Sequence, residues 1–168
     1  MRSPHIALLL IGAALLATPA PALSKPPSKA RSCGELSGKE VLGRHGSVRL
    51  VERLRRGDEL YGPVAVQYAC VAERRPRVLT EAQGVIRSTV AVTARHAAFA
   101  YDDIDSACTK YMGSGDPACR VRGVLVFDVR SGRAVVNRAD VTARSLTLAA
   151  DAVTYVTDGG ETVTVPFG

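Results

Sequence analysis

Residues 85–101 read VIRSTVAVTARHAAFAY, and residues 146–157 read LTLAADAVTYVT. In both, apolar and polar residues alternate, a short break of small and charged residues intervenes, and the alternation resumes. A period of two in stretches rich in Val, Thr and aromatic residues is the pattern of a strand with one face buried. The two stretches also match each other. VAVTARHAAFAY (90–101) lies on LTLAADAVTYVT (146–157) without a gap, setting Val92 on Leu148, Phe99 on Tyr155 and Ala100 on Val156. A weaker third copy, VAVQYAC, sets Tyr68 where Phe99 stands.

Outward from these stretches the same period predicts further strands. One runs through Val48 and Leu50 toward Leu54, and others cover Val64 to Val71, Val85 to Thr93, Ala97 to Tyr101, Val121 to Val129 and Ala134 to Val136. The last three lie at Leu146, at Val153 to Thr157 and at Thr162 to Val165. Asp158-Gly159-Gly160 and Ser131-Gly132 read as tight turns. Only Gly38 to Gly43 and Glu52 to Glu59 have room for a helical turn, and neither carries caps and a sustained apolar face. The expectation is an all-β domain of antiparallel meanders of short strands. Val66, Tyr68, Val92, Phe99, Leu125, Phe127, Leu148, Val153 and Tyr155 are expected in its core or strand contacts.

The order strand, break, A-x-A-Y strand, hairpin, then V-x-V-x-D-x-x-S-G (Val124 to Gly132) resembles a blade of a β-propeller. It is similar to WD-repeat and Tol-associated blades and to the partial blade repeats of small exported proteins from GC-rich bacteria. The similar stretch runs from about Val48 to Phe167, without the Trp-Asp dipeptide or the Gly-His signature of WD blades. A blade takes roughly 40–45 residues, so the chain has room for between two and three. A closed propeller needs at least four. The resemblance implies blade-like sheets forming a partial propeller, with a β-sandwich as the alternative.

The chain of 168 residues has a one-domain length, with 46% hydrophobic and 23% charged residues, enough for a core and too little charge for disorder. Residues 1–22, MRSPHIALLLIGAALLATPAPA, read as a signal peptide: Arg2, an apolar run from Ile6 to Ala17, and the Ala20-Pro21-Ala22 cleavage pattern. The apolar run is short of the roughly 20 residues that span a bilayer, so no transmembrane segment is expected after cleavage. Residues 23–32, LSKPPSKARS, hold Lys25, Lys29 and Arg31 with no acid and read as an extended basic linker. The domain is then residues 33–168, and the location is secreted or extracytoplasmic. The net charge is +6, and 18 of the 22 basic residues are Arg, a skew that fits a GC-rich bacterial genome.

Cys33, Cys70, Cys108 and Cys119 form an even set in an exported chain, which reads as two disulfides. Cys108 and Cys119 bracket TKYMGSGDPA, a loop composition, so the expected pairs are Cys108–Cys119 and Cys33–Cys70. No C-x-x-C spacing and no nearby His supports zinc.

Chemistry-bearing residues are sparse. Asp102, Asp103 and Asp105, with Asp116 inside the cysteine loop, are a possible oxygen-ligand set for a metal such as Ca²⁺. They lack the sixth-position Gly and twelfth-position Glu of an EF-hand loop, and Asp is common in turns for its own reasons. His45 beside Ser47, and His96 at a strand break and so expected at the surface, belong to no nucleophile pattern. No catalytic residue and no cofactor is expected. Aromatics are 5% and Trp is absent, which argues against a stacking platform for single-stranded nucleic acid. The function expected is an exported non-enzymatic binding or structural β module of the bacterial cell envelope or extracellular space. Its partner would be a protein or an envelope polymer, with no specific nucleic acid. The alternative is a small secreted hydrolase or carbohydrate-binding protein.

Overall fold

The computed structural model describes residues 32–36, 38–56, 63–72, 74–82, 84–105, 108 and 116–167. The expected signal peptide and all of the expected linker except Ser32 lie outside the described residues. The chain is all-β. Among the described residues eleven strands follow one another: β1 (Lys39–His45), β2 (Val48–Arg55), β3 (Val64–Val71), β4 (Arg77–Glu81), β5 (Val85–Val92), β6 (His96–Ile104), β7 (Arg120–Asp128), β8 (Ala134–Ala139), β9 (Ala143–Leu148), β10 (Ala152–Thr157) and β11 (Thr162–Pro166). They form three antiparallel meanders, β1-β2-β3-β4, β5-β6-β7-β8 and β9-β10-β11.

Two strands were not legible in the alternation. β1 occupies the segment given above as a possible helical turn, because Gly43 sits at a bulge that breaks its period. That glycine is needed: a Cβ there would fall within 2.8 Å of the Val90 side chain and 3.0 Å of Val92, so β5 can approach β1 only over a bare backbone. β4 is a half-exposed edge strand whose residues, RVLTE, bury no continuous face. Of the other possible helical turn, Glu52 to Glu59, residues 52–55 are instead the extended end of β2, and residues 57–59 lie outside the described residues.

The sheets stack face to face. The middle sheet buries both sides, which explains its long apolar run. Ala97, Phe99, Leu125 and Phe127 face the first sheet, meeting Val48, Leu50 and Ala69. Ala98, Ala100, Val124 and Val126 face the third, meeting Leu146, Val153, Tyr155 and Val165. The first strands of the meanders are neighbours, β5 lying against both β1 and β9. The outer face of the first sheet, Val51, Val66, Tyr68 and Cys70, is covered by Cys33 and Leu36. The Cys33–Cys70 bridge (Cα–Cα 5.9 Å) staples that cover, and Lys39 Nζ donates to the Cys33 carbonyl at 2.6 Å. Cys108–Cys119 closes the β6–β7 loop (Cα–Cα 5.3 Å). Both are the expected pairs.

The match between residues 90–101 and 146–157 is a shared hairpin. Val92 stands opposite Ala97, and Leu148 opposite Val153. Thr93 N–H donates to the His96 carbonyl as Ala149 N–H does to that of Ala152. Each third strand then closes on the start of its second strand in the same way: Ala72 N–H to Ser47 O, Val129 N–H to Arg95 O, and Phe167 N–H to Asp151 O. These bonds align β2, β6 and β10, so the first-sheet counterpart of Phe99 and Tyr155 is Val51. Tyr68 lies on a third strand and faces outward, and the third copy read in the sequence is not a structural equivalent. All nine residues expected in the core or in strand contacts lie in or against the three apolar clusters.

The stack ends in polar chemistry. Positions that point to the next sheet are Leu50 in the first meander and Ala98 in the second, and the corresponding residue in the third is Thr154. Thr154 stands in register with Thr147 and Thr164, and its hydroxyl lies 2.9 Å from that of Thr164. Hydroxyls in place of aliphatic groups make this face compatible with water, as terminal repeats of stacked arrays require.

Two polar groups fix the irregular places. Between Ile86 and Ala91 the β5 register shifts, and the wholly buried Thr89 stands in for the lost ladder. Its hydroxyl accepts from Ala100 N–H at 2.8 Å and donates to the Ile86 carbonyl at 2.7 Å. Gln67, also wholly buried, clamps both backbone groups of Ala82 (2.8 and 3.1 Å) and donates to Glu52 at 2.8 Å, pinning the link between the first two sheets.

Candidate functional site

The aspartates singled out in the sequence brace the cysteine loop. Asp102 stands opposite Arg122 and takes a two-pronged contact from Arg120 (Nε 3.1 Å, Nη2 3.0 Å), with Arg122 Nε at 3.4 Å. Asp103 accepts from the Ile104 amide, and Asp105 from the Cys108 amide. Asp116 caps the short turn Pro117–Cys119 through the Ala118 amide at 2.8 Å. The carboxylates thus serve backbone amides and arginines at both ends of the loop. Among the described residues no group of three or more His, Cys, Asp or Glu side chains is placed to hold a metal ion.

The histidines are apart. His45 ends β1, exposed, before the Gly46-Ser47 turn. His96 is 4% exposed, against the expectation of a surface residue, because its ring lies 4.4 Å from that of Phe167 where β6 begins beside the end of β11. Burial, then Arg95, holds its pKa below the ordinary value, partly offset by Asp128. Asp128 organises the β7–β8 turn by accepting from the Arg130 and Ser131 amides and the Ser131 hydroxyl. Burial would raise its pKa, but these bonds and the Arg95 guanidinium outweigh that and lower it.

What the sequence reading passed over is a concentration of arginine at one end of the stack. In a meander every second turn falls at the same end. Those turns here are 46–47, the 72–76 link, 93–95, 129–133 and 149–151. Contacts between sheets bring them together: Gly132 packs under the Val78 carbonyl, and His96 packs on Phe167. At this end stand Arg44, Arg49, Arg74, Arg75, Arg77, Arg95, Arg130 and Arg133, all exposed. The acids in or beside these turns among the described residues are Asp128 and Asp151, and Glu35 lies two residues from Cys33, whose bridge partner Cys70 stands opposite Arg49. Asp128 is already engaged by Arg95 at 3.4 Å and by the turn amides. Glu73 adds one more acid in sequence, outside the described residues.

The opposite end sets seven acids, Asp102, Asp103, Asp105, Asp116, Asp140, Asp158 and Glu161, against Arg55, Arg56, Arg120, Arg122, Arg138 and Arg144, so its charge is nearly balanced and the molecule is polarised along its strands. Arg44 stands directly across from Arg49 on adjacent strands, and like charges so placed are destabilising. Several arginines elsewhere are ion-paired, Arg55 with Glu81, Arg87 with Glu40 and Arg120 with Asp102, whereas Arg56, Arg138 and Arg144 at the opposite end have no ion pair with a described residue. Arg44, Arg49, Arg74, Arg75, Arg130 and Arg133 make no side-chain hydrogen bond or ion pair with a described residue. The signal in the sequence was turn parity: once the strands are numbered, these scattered arginines fall in alternate turns. Comparison with known protein families, with curated proteins and with solved structures finds no match to this chain.

Proposed function

We propose that this chain is an exported, non-enzymatic β module of the bacterial cell envelope or extracellular space, and that it acts by docking its arginine-rich turn end on a negatively charged partner. The observation that carries this reading is the set of exposed arginines there, six of them without a side-chain partner among the described residues, kept despite the cost of Arg44 facing Arg49. The two disulfides are consistent with an oxidising, extracytoplasmic environment. We read the three meanders as an open array of blade-like sheets, on the support of the shared closing bonds and neighbouring first strands. The acid and histidine groups support binding over turnover: neither His45 nor His96 has a hydrogen-bonded Ser and Asp beside it among the described residues.

The test is a set of esterase, glycosidase and peptidase screens on the mature, disulfide-bonded protein, run beside His45→Ala. The expected result is no turnover. Turnover that disappears in His45→Ala would overturn the reading in favour of a small hydrolase using Ser47 and His45.

A further inference from the structure

The polarity of the stack also bears on what the turn end binds, an argument that rests on the binding-module reading. We infer that the partner is a linear envelope polymer with phosphodiester charges along its backbone, lying across the turns of the first and second sheets.

Arg44, Arg49, Arg74 and Arg75 belong to the first sheet, and Arg130 and Arg133 to the second. The two groups adjoin, because the Gly132 turn rests on β4, next to the Arg77 side chain. The cations stand on separate turns of two packed sheets, which lie about 10 Å apart, rather than in one pocket. That arrangement suits a chain of repeated charges better than one small anion. All six cations are guanidinium groups, whose planar fork and weak hydration match phosphate oxygens in paired hydrogen bonds. None needs to leave an ion pair with another described residue in order to bind.

Two other polyanions fit less well. A lipid surface would be met by apolar or aromatic anchors beside the charges. Among the described residues the exposed large apolar side chains Val41, Leu54, Ile104 and Val121 lie on strands away from these turns, and Val78 on β4 is a single one beside Arg77. Single-stranded nucleic acid would be met by stacking rings, and the described residues of these turns include no Phe, Tyr or Trp.

The experiment measures binding of poly(glycerol phosphate) to the mature, disulfide-bonded protein over a salt series. Three parallel probes accompany it: polygalacturonate, oligo(dT), and phosphatidylglycerol vesicles. Two variants carry the same change in net charge. One is Arg74→Glu/Arg75→Glu/Arg130→Glu at the turn end, and the other is Arg56→Glu/Arg138→Glu/Arg144→Glu at the opposite end. Circular dichroism confirms that both fold.

Poly(glycerol phosphate) is expected to bind best, with a salt slope of about 0.7 per phosphate neutralised. The turn-end variant should weaken binding by about 30-fold or more at low salt, and the opposite-end variant by about threefold or less. Equal losses in the two variants would mean that net charge alone binds, and would overturn the inference. Stronger binding to polygalacturonate, oligo(dT) or vesicles would overturn the phosphodiester polymer as partner and leave the module reading standing. Binding to none of the probes would also overturn the inference. The module reading itself falls only on turnover in the activity screens.

Discussion

Replacing Phe99 by Ala tests how the first two sheets are joined. Phe99 is wholly buried on β6, opposite Leu125, with its ring centroid 6.0 Å from that of Phe127 and its face toward Val48 and Leu50. Losing the transfer free energy of the ring costs about 2–3 kcal/mol. The void adds to this at about 24 cal/mol per Å³, so roughly 80 Å³ left unfilled contributes about 2 kcal/mol more. The neighbours argue for little collapse, because Ala69, Ala82 and Ala97 have no rotamers with which to fill the space. The expected cost is therefore about 4–5 kcal/mol, the upper part of the usual range for Phe→Ala. In urea unfolding followed by circular dichroism, with both bridges intact, the midpoint should fall while the m-value stays unchanged. The thermal midpoint should fall by roughly 10–15 °C. Phe99→Leu should cost only about 1–1.5 kcal/mol. A loss below about 1.5 kcal/mol for Phe99→Ala would refute the face-to-face packing of the first two sheets around this ring.

Two further outcomes follow from the buried polar groups. Thr89→Val keeps the shape but strands the Ala100 amide and the Ile86 carbonyl. It should cost about 2–4 kcal/mol, with Thr89→Ser restoring most of the loss; a neutral Thr89→Val would show that the β5 irregularity does not depend on the hydroxyl. His96 has a folded-state pKa below 6.5, caused first by burial and then by Arg95. The unfolded chain therefore binds the proton more readily, so the contribution is fully present above about pH 6.5 and is lost as pH falls from there through the folded-state pKa. Melting curves across pH 5 to 7.5 should show this decline, flattened in His96→Phe; an unchanged slope in that variant would place the titration elsewhere.

Strand content was legible because the period of two is a local property. Val64 to Val71 is a strand with the expected bounds, and the turns at Ser131-Gly132 and Asp158-Gly159-Gly160 have glycines at positive φ (Gly132 +74°, Gly160 +85°). Cysteine pairing was legible for a similar reason, since a short loop of turn-forming residues closes on itself. The repeat of residues 90–101 in 146–157 carried hairpin register as well, because register is fixed by the turn and the residues flanking it.

What alternation cannot supply is which sheet each face meets. In the middle sheet both faces are apolar, and only packing sends Phe99 to the first sheet and Ala98 to the third. The same limit misassigned Tyr68, whose apolar neighbours resemble those of Phe99 although it sits on a different strand of its meander. His96 was read as exposed because its burial comes from Phe167, far along the chain. The arginine-rich end is likewise a product of the tertiary structure. Arg44, Arg75 and Arg130 are separated by long stretches of chain, and they share a surface because three meanders stack with their turns in phase.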